Sequence, residues 1–218
     1  MDREQVWQAI DGRRLDVAEL LEQLSDDERR RDSLCRGWTV RDVAAHLTLQ
    51  QLSVGSAAAA MIRARGDVDR LIHDMACRRA ALPTQRLIAE IRGTVGSRRH
   101  NPGVTHLETL IDILVHGQDI AVPLGRRLET PVDAAATAAT RAWELGRPFH
   151  AKKKAAGFAL TATDTSWSAG EGLAVRAPIG DLLLLLTGRL VVLPRLEGEG
   201  ADGLSARLLD AADGGAAG

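Results

Sequence analysis

Tyrosine is missing from these 218 residues, and the aromatic complement is four tryptophans and two phenylalanines. Such a chain offers few stacking platforms for bases. Its formal net charge of -1 supplies no basic face for a nucleic acid or an anionic membrane. Cysteine is almost as scarce: Cys35 and Cys77 form neither a disulfide framework nor a zinc-knuckle spacing. Both are read as packed, inert thiols, since no base lies near Cys35 in sequence. The longest apolar stretch, Leu182 to Leu193, is broken by Gly188 and Arg189 and falls far short of the ~20 residues of a membrane span. The opening MDREQVWQAI has no signal-peptide core. A Gly-rich phosphate loop, GxSxG and HExxH are all lacking. These absences lead us to expect a soluble, cytoplasmic protein with no nucleic-acid or membrane partner.

What is present is an ordinary globular composition, 45% hydrophobic and 26% charged, long enough to bury a core. Val6, Ile10, Val17, Leu20, Leu21 and Leu24 recur at helical period, which predicts an amphipathic first helix. The polar segment SDDERRRDS reads as a break. Thr39 then caps a second helix, with Asp42 as its reciprocal acid and Trp38 and Val43 placed as a hydrophobic staple. That helix is expected to reach about Arg65 and stop at Gly66. A third helical stretch, about 68 to 95, is interrupted at Pro83, where Thr84 is positioned to cap a restart. Thr105 with Glu108 opens a further helix that ends near Ala121, before Pro123 and Gly125. Thr130-Pro131 begins a short one running to about Gly146.

After Lys152-Lys153-Lys154 the texture changes. Phe158, Leu160 and Ala162 alternate with smaller residues, and Gly-rich turns separate them from Leu173-Ala174-Val175, which predicts short antiparallel strands. Asp181 to Leu186 reads as a buried helix ending at Gly188. The predicted architecture is α+β: a helical bundle over residues 1–150, a small α+β C-terminal domain over 151–211, and a flexible tail over 212–218. Bundles of this kind pair through exposed helix faces, so the expected state is a monomer or a homodimer.

The chemistry concentrates in two segments, GWTVRDVAAHL with His46 and ETLIDILVHGQDI with Asp112 and His116. Residues four apart on a helix share a face, about 5.4 Å apart along the axis. A third ligand from a neighbouring helix would complete a three-ligand metal site with an open position, the pattern of catalytic zinc. The plainer alternatives are a partly buried His46 and an Asp112–His116 ion pair. Leu110, Ile111, Leu114 and Val115 favour the metal, because they bury the helix over most of its circumference and a buried acid needs a partner. Glu108 is also four residues from Asp112, but the helix start occupies it. Asp119 is read either as an acceptor orienting His116 or as a helix-end residue.

SLCRGWTVRDVAAHL resembles the N-terminal signature of the actinobacterial mycothiol-dependent maleylpyruvate isomerase family, which belongs to the wider DinB-like helical bundles. VHGQDIAVPLGR resembles that family's second metal-bearing segment, and ATDTSWSAGEGLAVRAPIGDLLLLLTGR its small C-terminal domain. The resemblance implies a DinB-like four-helix bundle, with His46, Asp112 and His116 as ligands of a divalent metal, zinc by preference. It places Asp112 where the family's isomerase carries glutamate, a side chain one methylene longer. It also implies a C-terminal arginine near the reaction centre, for which Arg189 is the candidate and Arg207 the fallback. The implied activity is a mycothiol-using isomerase or S-transferase, in which a metal-bound thiolate adds to an electrophilic small molecule. A metal-dependent hydrolase and a non-catalytic small-molecule-binding or regulatory protein are the alternatives on the same fold.

Overall fold

The computed structural model of the chain describes residues 1–51 and 68–214. In chain order its helices are α1 (Arg3–Gln23), α2 (Asp26–Arg30), α3 (Val40–Leu47), α4 (Val68–Ala80), α5 (Thr84–Arg92), α6 (His106–Ala121), α7 (Val132–Glu144), α8 (Ala151–Lys154), α9 (Ile179–Leu186) and α10 (Ala201–Gly214). Three strands, β1 (Phe158–Ala162), β2 (Ser168–Gly170) and β3 (Leu173–Ala177), lie between α8 and α9. The chain divides into two compact units, Met1–Glu129 and Thr130–Gly218. The protein is thus a helical bundle and a small α+β unit. No described helix is long and apolar enough to cross a membrane.

Helix starts follow the local chemistry of the sequence. Reciprocal capping boxes open α3 at Thr39/Asp42 and α6 at Thr105/Glu108, as expected. The same device at Ser25/Glu28 turns the expected break SDDERRRDS into the short helix α2. Thr84 does not cap: Pro83 holds the cap position, and the Thr84 hydroxyl accepts a hydrogen bond from Arg41 at 2.6 Å. Arg41 also donates to the carbonyls of Ala80 and Leu82, tying α3 to the turn between α4 and α5.

The helix after Thr39 is shorter than its pattern suggested. Thr48 Oγ1 donates to the Ala45 carbonyl at 2.7 Å, and the Leu49 N–H closes on His46 O at 2.8 Å. These tight backbone turns end α3 at Leu47. The remainder of the predicted helix, to Arg65 and Gly66, falls outside the described residues.

In the first unit α1 packs against α6 and α5, and α3 against α4 and α6. Every apolar residue of the predicted α1 stripe is buried, Val6, Ile10 and Val17 almost completely. Each such side chain contributes about 1.5–3 kcal/mol. Gly117 lets α6 approach α1 closely: a Cβ there would stand 2.9 Å from Leu128 and 3.3 Å from Val17.

In the second unit α7 has α9 as its main helical neighbour and buries Ala134, Ala135, Ala138, Ala139 and Ala142. Its helical texture resembles the bundle's, yet it falls within the second compact unit, which begins at Thr130. The sheet order is β2-β1-β3, with β1–β2 antiparallel and β1–β3 parallel. The expectation of antiparallel pairing throughout is therefore corrected. The reason lies at Gly172 (φ +122), where a Cβ would meet the Gly157 carbonyl oxygen at 2.1 Å. The chain crosses hard against the start of β1 and lays β3 alongside it in the same direction. Phe158 and Leu160 of β1 and the five leucines of α9 supply buried side chains. α10 continues through Gly214, so the first residues assigned to a tail are helical. Residues 215–218 lie outside the described chain.

Candidate metal centre

His46 is in the last turn of α3, and Asp112 and His116 are one turn apart on α6. The packing of α3 on α6 brings the three together. His46 Nε2 and His116 Nε2 each stand 3.3 Å from the same oxygen, Asp112 Oδ1. The two imidazoles meet edge to face, with centroids 4.8 Å apart. All three side chains are half-buried, and their donor atoms lie within 4.8 Å of one another.

The separations suit a metal site as well as a long hydrogen-bonded cluster. A charge-assisted N–H···O bond runs about 2.7–2.9 Å. Two donors about 2.0–2.2 Å from one tetrahedral ion stand roughly 3.3–3.5 Å apart. The observed 3.3 Å spacings are compatible with the second geometry and are also within reach of long hydrogen bonds. Two imidazole nitrogens and one carboxylate also form a donor set that suits zinc. His46 Nδ1 is buried with no hydrogen-bond partner among the described residues.

A second group, Cys35, His116 and Asp119, clusters on the far side of the His116 ring. Here the distances are those of hydrogen bonds. His116 Nδ1 is 2.7 Å from Asp119 Oδ2, and Cys35 Sγ donates to the same oxygen at 3.0 Å. Asp119 is fully buried. Its carboxylate accepts the Nδ1 proton, and Nε2 is the ring nitrogen that faces Asp112 and His46. Of the two readings of Asp119, the structure therefore supports the orienting acceptor.

Cys35 lacked a neighbouring base in the linear sequence, yet the fold sets it 3.6 Å from His116 Nδ1. It arrives on a turn in which the Trp38 N–H closes on Cys35 O at 3.0 Å with Gly37 at φ +76. A type II turn needs such a residue at its third position. The Leu34 N–H donates to the Asp119 carbonyl at 3.2 Å, which fastens this loop to the end of α6.

The electrostatics are strongly coupled. Burial alone would raise the Asp112 carboxyl, but the adjacent His116 and His46 hold it well below the usual carboxylate range. Burial would lower His116, and Asp112 with Asp119 outweighs it, so the imidazole is raised well above its ordinary value. Without an ion the site therefore stores positive charge on His116. A divalent cation would compete for that role.

Two features escaped the sequence reading. Trp38 was placed as a staple, but its ring meets the edge of His46 with centroids 5.3 Å apart, and its Nε1–H donates to His73 Nδ1 at 2.6 Å. Gln50, just beyond α3, donates from Nε2 to Asp112 Oδ2 at 2.7 Å. Neither contact has a local spacing signature. Arg189 and Arg207 belong to the second unit. Arg189 NH1 donates to the Thr187 carbonyl at 2.7 Å, while Arg207 donates to the Ala156 carbonyl and lies 4.7 Å over the Phe158 ring.

Comparison with known proteins places this geometry in context. Residues 13–102 match the Mycothiol maleylpyruvate isomerase N-terminal domain. The crystal structure of the mycothiol-dependent maleylpyruvate isomerase is similar with TM-score 0.58 and 15% sequence identity, covering 87% of this chain and 90% of that one. A histidine-to-alanine mutant of that enzyme gives TM-score 0.60 at 13% identity with the same coverage. Among curated protein sequences none matches. Over residues 13–102 the chain is thus similar to that N-terminal domain. It shares that isomerase's fold over most of its length.

Proposed function

We propose that this protein is a metal-dependent, mycothiol-using enzyme, an isomerase or S-transferase acting on an electrophilic small molecule. The observation that carries this reading is the convergence of His46 Nε2 and His116 Nε2 on Asp112 Oδ1, each at 3.3 Å. His46, Asp112 and His116 would hold a divalent ion, zinc by the donor set, leaving a position open to an exogenous ligand. Bound there, the ion would supply Lewis acidity, lowering the pKa of a thiol from about 8.5 so that it is a thiolate at neutral pH.

The chain's own residues set the charge for that chemistry. Two neutral imidazoles and one carboxylate compensate half the charge of a divalent cation, so the site favours one further anion. Asp119 holds the Nδ1 proton of His116, so that Nε2 is the nitrogen that would give up its proton to ligate the ion. Trp38 covers the edge of His46 and restricts its ring. Arg189 is proposed to pair with a carboxylate of the substrate through its planar fork, with Arg207 as the second candidate.

Two measurements test the reading. Elemental mass spectrometry on wild type and His116→Ala, purified without chelator or tag-derived metal, should find near-stoichiometric metal in the first and little in the second. Turnover of an electrophilic 2-oxo acid with a conjugated double bond should then require mycothiol. A folded wild type that takes up no metal after zinc is added overturns the proposal. Turnover that proceeds equally without thiol replaces it with the hydrolase.

A further inference from the structure

Asp112 carries two oxygens, and the metal geometry accounts for only one. Oδ1 faces the two histidines, while Oδ2 accepts from Gln50 Nε2 at 2.7 Å. Gln50 is 94% excluded from solvent, its relative exposure being 6%. Its other amide atom, Oε1, receives Arg14 NH2 at 3.4 Å. Arg14 is completely buried on α1, with NH1 donating to the Thr94 carbonyl at 2.8 Å and pairing with Asp11 at 3.2 Å.

The chemistry of these groups permits one arrangement. A guanidinium only donates, so Gln50 must turn its oxygen toward Arg14. The amide nitrogen then points at Asp112, which as a carboxylate only accepts. Reversing the amide would oppose two donors at one end and two acceptors at the other. We infer that Arg14 and Gln50 are positioning residues: they form a buried relay that engages Asp112 Oδ2, leaves Oδ1 alone to serve as the metal-ligating oxygen, and enforces one-oxygen coordination.

This inference rests on the metal-binding reading and is tested apart from it. Full-length protein is stripped of metal and titrated with zinc against a competing chromophoric chelator, and separately with cobalt(II), whose visible spectrum reports coordination geometry. The variants are Gln50→Leu, which removes the donor at similar volume, and Gln50→Glu, which keeps length and polarity but removes the N–H donors. Thermal melting of the metal-free forms establishes that each is folded. Loss of an outer hydrogen bond to a ligand typically weakens metal binding about 10–100-fold. Both variants should show a loss of that order together with an altered cobalt spectrum. Wild-type affinity and an unchanged spectrum in either folded variant would overturn the relay while leaving the metal site intact. A wild type that binds neither ion would overturn the metal reading itself.

Discussion

Asp119 stands directly behind His116: its Oδ2 is 2.7 Å from the ring's Nδ1, and the carboxylate is wholly excluded from solvent. A buried carboxylate with two donors is costly to build and sensitive to change. In Asp119→Asn the amide can present its NH2 to Nδ1. That would favour the opposite tautomer and put the proton on Nε2, where the ion should bind. The expected result is a metal affinity about 10–100-fold below wild type with the fold retained. Chelator competition on the purified variant measures it, and an unchanged affinity would reject the orienting role.

The close approach of α6 to α1 at Gly117 makes a second prediction. In Gly117→Val the new atoms meet Val17 and Leu128, and Val17 is too stiff at χ1 to move aside freely. Overpacking of this kind costs about 1–3 kcal/mol. Chemical denaturation should show a lower midpoint with an unchanged slope. Because His116 is the preceding residue, the variant should also bind metal more weakly.

Glu28 provides a pH signature away from the site. Its carboxylate accepts from the Ser25 backbone N–H and pairs with Arg126 at 2.9 Å, which lowers its pKa from 4.5 to about 2. A lowered folded-state pKa contributes stability that is complete above the unfolded value and is lost as pH falls through the folded one. Glu28→Gln should therefore melt below wild type at neutral pH, and the gap should close between pH 4.5 and about 2. A gap that persists at the acid end would show that the carboxylate's charge is not its origin.

What the sequence disclosed follows the range of each interaction. The α1 stripe, the capping boxes at Thr39 and Thr105 and the Asp112–His116 pair all lie within a turn or two of chain, and each is found where the pattern put it. The capping box at Ser25 was equally local, but no apolar run follows it, so its helix went unread. Parallel pairing of β1 with β3 depends on how the chain crosses at Gly172, which alternation does not encode. Gln50 and Arg14 are separated by 36 residues, and Gln50 and Asp112 by 62. One clue was still present: Arg14 falls between Ile10 and Val17 on the buried stripe of α1, where a charge must be held by partners from elsewhere.

Asp112, His116 and Asp119 descend one face of a single helix, whereas His46 comes from another. The spacings among the α6 groups are set by helix pitch and travel with that helix as a rigid set. Only the distance to His46 records how far α3 stands from α6. An ion that needs all three ligands is thus a gauge of that interhelical gap. Any mutation or bound molecule that widens the gap by a fraction of an ångström should be legible as lost metal before it is legible as lost structure.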